Sequence, residues 1–93
     1  MRRRYSIAMP ANFIDDDGKW IEQKLSSLNQ EHRTSARQGY DMVFCEARDN
    51  EPVSYKKDNA ARRAANIRLR VYVDKMLEKY RHQSQQHGRF KGW

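Results

Sequence analysis

The chain has 93 residues, a formal net charge of +7 and a hydrophobic content of 38%. This length gives one small domain, and the excess of basic residues favours an acidic partner such as nucleic acid or an acidic protein surface. The single cysteine, Cys45, excludes an internal disulfide and fits a reducing cytoplasm, and no apolar run approaches the roughly 20 residues of a membrane span.

The first 25 residues predict a β-hairpin. Residues 5–10 alternate large and small side chains and end at Pro10, which is typical of a short strand. Residues 15–18 read Asp-Asp-Asp-Gly, a turn signal, because aspartate tolerates turn geometry and glycine allows positive φ. Residues 19–25 can then form the second strand.

A competing interpretation of the same region is a helix. Ile21, Leu25 and Leu28 are spaced i, i+4 and i+7, which is the spacing of one helix face. We favour the hairpin, because residues 26–29 resemble the entry to a new helix.

Two helices are predicted after this region. Asn29 is a good N-cap for the first, which we expect to run to Arg48 and to stop before Pro52. Asp58 or Asn59 caps the second, and its apolar pattern is lost from Gln83 onward.

The predicted fold class is therefore α+β, with an N-terminal β-hairpin packed on an antiparallel two-helix hairpin. It forms a single domain of residues 1–82, followed by a disordered, basic and aromatic tail of residues 83–93. The alternative is a mostly α-helical dimer similar to ribbon-helix-helix proteins.

The second predicted helix has two apolar stripes. The broad stripe consists of Ala65, Leu69, Tyr72, Val73, Met76 and Tyr80. The narrow stripe consists of Ala60, Ala64, Ile67 and Val71. Two stripes need two partners, so we expect the first helix to cover the broad stripe. The hairpin or a second copy of the chain covers the narrow one, and its small residues favour close helix approach in a homodimer.

Cationic residues form two edges between these stripes. Arg63 and Arg70 share one edge, and Arg68, Lys75 and Lys79 share the other. Guanidinium and ammonium groups in such rows can follow the phosphates of a nucleic acid. The N-terminal and C-terminal segments add further candidate phosphate ligands, namely Arg2, Arg3, Arg4, Arg89 and Lys91.

An acidic host protein is the alternative partner. In that case Trp20, Phe90 and Trp93 are candidate anchors, since large aromatic side chains dominate protein–protein binding energy. The sequence contains no glycine-rich phosphate loop, no nucleophile motif and no histidine or cysteine at metal-ligand spacing. We therefore predict a non-enzyme with no catalytic residue, metal or cofactor and no membrane partner.

Two resemblances bear on function. Residues 4–10, Arg-Tyr-Ser-Ile-Ala-Met-Pro, resemble the opening strand of ribbon-helix-helix DNA-binding proteins, in which paired strands of a dimer enter the major groove. The chain departs from that pattern, because residues 15–18 interrupt the first expected helix. Residues 46–70 resemble small accessory proteins of enteric phages and prophages, which implies a bacterial cytoplasm and a role in regulating phage genes or countering a host machine.

Overall fold

The computed structural model describes residues 5–91 of the chain, with side chains described for residues 5–82. Three α-helices account for most of this part: α1 (Gly18–Ser26), α2 (Gln30–Asn50) and α3 (Lys57–Lys91). Two short 3-10 helices, Asp15–Asp17 and Ser54–Lys56, precede α1 and α3. No strand occurs between residues 5 and 91, so the predicted α+β class is wrong.

The predicted second strand is helix α1. Ile21 and Leu25 are fully buried in the core, whereas Gln23 between them is exposed. A strand would have placed all three on the same face, because its side chains alternate with period two. The helical spacing of Ile21, Leu25 and Leu28 was therefore the correct pattern, and all three are buried.

The predicted first strand, residues 5–10, has no strand to pair with and forms neither strand nor helix. Carboxylates instead bind the backbone of this segment and of the residues just after it. Ser6 N donates to Glu22 Oε2 at 2.7 Å, and Asn12 N donates to Asp41 Oδ1 at 2.8 Å. The missing strand also removes the basis for a ribbon-helix-helix dimer among the described residues.

The antiparallel pairing of α2 with α3 is confirmed. Asn29 caps α2 by accepting a hydrogen bond from His32 N at 3.0 Å, as predicted. The helix ends at Asn50, two residues after the expected end, and Glu51 leaves the helical region ahead of Pro52. Lys57 Nζ then donates to the carbonyls of Arg48 and Glu51, which joins the end of α2 to the start of α3.

One face of each helix supplies the hydrophobic core. Besides Ile21, Leu25 and Leu28, it contains buried residues of α2 and α3, namely Ala36, Tyr40, Phe44, Ala61, Ala65, Leu69 and Val73. The predicted broad stripe is thus the core stripe of α3. Residues of α1 and the segment before it cover one side of the α2–α3 hairpin.

Helix α3 continues to Lys91, past Gln83, where a disordered tail was expected to begin. Residues 83–91 lack an apolar stripe, but they contain no proline, and Gly88 is their one strongly unfavourable helix residue. Loss of an apolar stripe therefore did not mark the end of the helix. Within the described part of the chain, no helix is both long enough and apolar enough to cross a membrane.

Candidate nucleic-acid interface

A buried polar cluster holds the start of α1 against α2 and α3. Asp17, only 8% exposed, accepts hydrogen bonds from Arg62 Nε at 2.9 Å, Arg62 Nη2 at 2.5 Å and Asn66 Nδ2 at 3.0 Å. Tyr40 Oη donates to Asn66 Oδ1 at 2.6 Å, so the cluster links all three helices. None of its buried side-chain nitrogen or oxygen atoms lacks a hydrogen-bond partner.

These contacts shift the pKa values of the cluster. Burial alone would raise the pKa of Asp17, but hydrogen bonds from Arg62 and Asn66 and the charge of Arg62 lower it below its usual range. The pKa of Tyr40 is raised, chiefly by burial and then by the charge of Asp17. Near neutral pH the cluster therefore contains an ionised Asp17 carboxylate and a neutral Tyr40 phenol. Its hydrogen bonds stabilise the packing of the helices.

The Asp17–Arg62 pair is the one salt bridge among the side chains of residues 5–82. Other carboxylates are also used inside the fold. Glu22 and Asp41 bind the N-terminal segment, and Glu51 Oε1 accepts from Val53 N at 3.2 Å. Hydrogen bonds from the backbone and hydroxyl of Ser6 lower the pKa of Glu22. These acidic groups are directed at the chain itself and do not neutralise α3.

The five predicted phosphate ligands on α3 are all exposed, and none forms an ion pair with a described residue. They are Arg63, Arg68, Arg70, Lys75 and Lys79. Even Arg70 and Asp74, four residues apart on α3, do not come within ion-pair distance. The surface of α3 therefore carries unpaired positive charge.

The two cationic edges face different directions. At 3.6 residues per turn, Arg63 and Arg70 lie within about 20° of each other around the helix, and about 160° separates Arg70 from Arg68. Arg68 lies over α2, since its guanidinium would be 3.7 Å from a Cβ added at Gly39. We call Arg63 and Arg70 the outer edge, and Arg68, Lys75 and Lys79 the α2-side edge.

The narrow apolar stripe lies between these edges and is open. Ile67 is 48% exposed and Val71 is 46% exposed, while Ala60 and Ala64 are half-buried. The hairpin expected to cover this stripe does not exist, and no other described element covers it. A second copy of the chain is the remaining candidate, and it stays a prediction.

Trp20 is not a free anchor. Its side chain is half-buried and packs against the core, with Lys24 Nζ 5.7 Å from its ring centroid. The other candidates lie outside the described side chains: Arg2, Arg3, Arg4, Arg89, Phe90, Lys91 and Trp93.

A second basic feature, at the turn between α2 and α3, was missed. A cleft of about 310 Å³ is lined by Glu51, Lys56, Asn59, Ala60 and Arg63. Tyr55 adjoins it through Lys56, whose Nζ lies 6.0 Å from the tyrosine ring centroid. The signal was present in the sequence Ser-Tyr-Lys-Lys of residues 54–57, in which an aromatic residue is followed by two lysines.

Side chains of the types that bind metal ions are dispersed among the described residues. No group of three histidine, cysteine, aspartate or glutamate side chains comes together there in a way that could hold an ion. In the aspartate run of residues 15–17, Asp17 already binds Arg62. Cys45 is a free, exposed thiol on α2.

No protein-family model, curated protein or solved structure matches this chain. The resemblance of residues 46–70 to phage accessory proteins therefore stays a prediction.

Proposed function

We propose that this protein is a non-enzymatic nucleic-acid-binding module that contacts phosphates through α3. The observation that carries this proposal is the set of five exposed cations on α3 that lack an acidic partner. An excess of unpaired positive charge on one helix produces a potential that attracts a polyanion.

The charge of α3 is strongly asymmetric. Between positions 57 and 82 it carries eight lysine and arginine residues but only three acidic ones, Asp58, Asp74 and Glu78. Two of the eight, Lys57 and Arg62, bind the chain itself. The other six remain available to solvent or to a partner.

The directions of the two edges limit how a nucleic acid can bind. A straight duplex can lie along one edge at a time, because the edges point to nearly opposite sides of α3. Arg63 and Arg70 are about 10 Å apart along the helix at 1.5 Å per residue, so each edge meets two or three phosphates. Contacts of this kind give affinity without sequence preference.

Salt dependence measures the number of phosphates contacted. For a duplex the slope of log K against log salt is about −0.9 per phosphate, so one edge predicts a slope of about −2 to −3. If a flexible single strand wraps around both edges, we expect a steeper slope. Each of the five contacts then contributes about −0.7 at most.

The test is a titration of fluorescently labelled random-sequence DNA, duplex and single-stranded, followed by anisotropy at about 20, 50 and 150 mM salt. One variant reverses the outer edge (R63E and R70E), and another reverses the α2-side edge (R68E, K75E and K79E). A single reversal on α1, K19E, is the control, because Lys19 is exposed and lies outside both edges. We expect one or both edge variants to lose binding and K19E to retain it. Absence of binding by the parent protein at the lowest salt would refute the proposal.

A second candidate function is docking on an acidic host protein, and the open stripe of Ile67 and Val71 between cationic edges favours it. Protein interfaces combine an apolar centre with a polar rim. A nuclease-treated pull-down from bacterial lysate separates the two, because a partner captured through Ile67 resists nuclease and is lost in I67K.

A further inference from the structure

The turn between α2 and α3 carries the most exposed aromatic side chain of residues 5–82. Tyr55 is 83% exposed, whereas every other aromatic side chain in that part of the chain is half-buried or buried. A single exposed apolar residue on a protein surface is ordinary. The surroundings of Tyr55 are what distinguish it.

The backbone fixes Tyr55 in position. Lys56 N donates to Val53 O at 2.9 Å, and Lys57 N donates to Ser54 O, which closes the 3-10 turn around the tyrosine. The side chain of Lys57 ties this turn to the end of α2. The ring is therefore presented to solvent by an ordered turn, so little backbone freedom remains to be lost when a ligand stacks on it.

Basic side chains lie next to the ring. Lys56 is placed over Tyr55 and also lines the adjoining cleft, whose other cationic residue is Arg63 of the outer edge. The cleft contains one carboxylate, Glu51, and one of its oxygens accepts a hydrogen bond from Val53 N. The lining is therefore net positive.

The size of the cleft indicates how much of a ligand it can hold. A volume of about 310 Å³ lies at the lower end of small-molecule sites, which range from about 300 to 1,000 Å³. A cleft of this size that is open to solvent has room for a phosphate and its sugar, which leaves the attached base outside, on the side of Lys56 and Tyr55. An aromatic platform beside a basic groove is the arrangement with which proteins bind single-stranded nucleic acid.

We propose that Tyr55, Lys56 and Arg63 form a single-strand-binding site, in which a base stacks on Tyr55 while Lys56 and Arg63 bind the adjoining phosphates. This inference rests on the proposed function and refines it. Bases inside a duplex stack on each other and cannot reach Tyr55, so the site predicts a preference for single-stranded over duplex nucleic acid.

The test compares labelled oligo-dT with a duplex of equal length, using the full chain and anisotropy at low salt. Y55L keeps apolar area but removes the aromatic face, and Y55F keeps the face. Stacking on an aromatic side chain is worth about 1–3 kcal/mol per base, so Y55L should weaken oligo-dT binding about 5- to 150-fold. Y55F should bind nearly as the parent protein does.

Two matched variants sharpen the comparison. M42A removes the next most exposed large apolar side chain, on α2, and should leave oligo-dT binding unchanged. K56A should weaken binding and flatten the salt slope by about 0.7, the contribution of one single-strand phosphate. An oligonucleotide that contains 5-iodouracil should crosslink to Tyr55 on irradiation. Peptide mass spectrometry locates the crosslinked residue.

The possible failures are distinguishable. Equal affinity for single strand and duplex, with Y55L binding oligo-dT as well as the parent, would overturn the Tyr55 site and leave phosphate binding by α3 standing. Absence of binding to any nucleic acid at low salt would overturn both. Loss of binding in Y55L together with a lower unfolding temperature than Y55F would also count against a stacking role.

Discussion

Replacing Asp17 with alanine should destabilise the protein more than any other single acidic substitution among residues 5–82. Asp17 is buried and accepts three hydrogen bonds, two from Arg62 and one from Asn66. Its removal leaves the Arg62 guanidinium and the Asn66 amide without their acceptor. Tyr40 would then face a partly unsatisfied amide.

The expected cost follows from the exposure of the two partners. Removing one member of a fully buried ion pair costs about 3–5 kcal/mol. The side chain of Arg62 is 36% exposed and can regain water, so we expect a lower value. About 2–3 kcal/mol is reasonable for lost hydrogen bonds to a charged group. For a chain of this size that corresponds to a fall of about 10–15 °C in unfolding temperature.

Thermal unfolding followed by circular dichroism measures this cost. The matched control is D16A, which removes a neighbouring exposed carboxylate. The pKa of Asp17 is lowered in the fold, so its stabilising contribution is present above the unfolded value of 3.8 and is lost as pH falls through the folded value. The difference between the parent protein and D17N should therefore be full at pH 7 and shrink below about pH 4. Equal unfolding temperatures for D17A and D16A would refute this account of the cluster.

Three further predictions concern other parts of the fold. E22Q should lower the protection factor of the Ser6 amide against hydrogen exchange, because the ionised Glu22 carboxylate accepts that amide's hydrogen bond. Hydrogen bonds from Ser6 lower the pKa of Glu22, so in the parent protein this protection should be lost only as the pH falls through the lowered pKa. An unchanged protection factor in E22Q would contradict the contact. G18A should lower the unfolding temperature, because a Cβ at that position meets the Tyr5 ring at 2.7 Å. G39A should raise the free energy of unfolding by up to about 1 kcal/mol, because a Cβ there has room. A more stable G18A than G39A would contradict the packing. I67K should abolish any self-association seen by analytical ultracentrifugation at high concentration, and a one-chain mass for the parent protein at every concentration would contradict a homodimer.

The helical hairpin could be predicted from the sequence because its signals were local and agreed with each other. Asn29 at the N-cap and Pro52 after the end of α2 indicate the same element. The broad stripe of α3 likewise predicted the core correctly. In these cases the helical period and the capping residues left one consistent solution.

The N-terminal region could not be predicted as well, because its signals conflicted. Residues 19–25 fit both a strand and a helix, and burial of Leu28 together with Ile21 and Leu25 decides between them. That burial depends on packing against α3, which begins only at Lys57, far from these residues in sequence. Glu22 and Asp41 bind backbone amides between residues 6 and 12. A local sequence pattern cannot predict these contacts, because the partners are far apart in the chain.

The candidate site was predicted in part. The sequence identified the cations of α3 and their arrangement on two edges, but it could not show which of them bind within the fold. Arg62 and Lys57 are used structurally, whereas Arg63 is exposed and also lines the cleft near Tyr55. The cleft forms because the turn of residues 54–56 exposes Tyr55 to solvent and brings Lys56 to the same cleft as Arg63. Sequence spacing alone does not predict this arrangement.

The most direct test of the central claim is the salt dependence of nucleic-acid binding by the parent protein. If α3 binds phosphates, binding to random-sequence DNA should be measurable at about 20 mM salt, and log K should fall linearly with log salt with a slope of about −2 or steeper. Reversing the cations of the responsible edge should flatten that slope. Binding that is absent at low salt, or that does not change with salt, would contradict the claim.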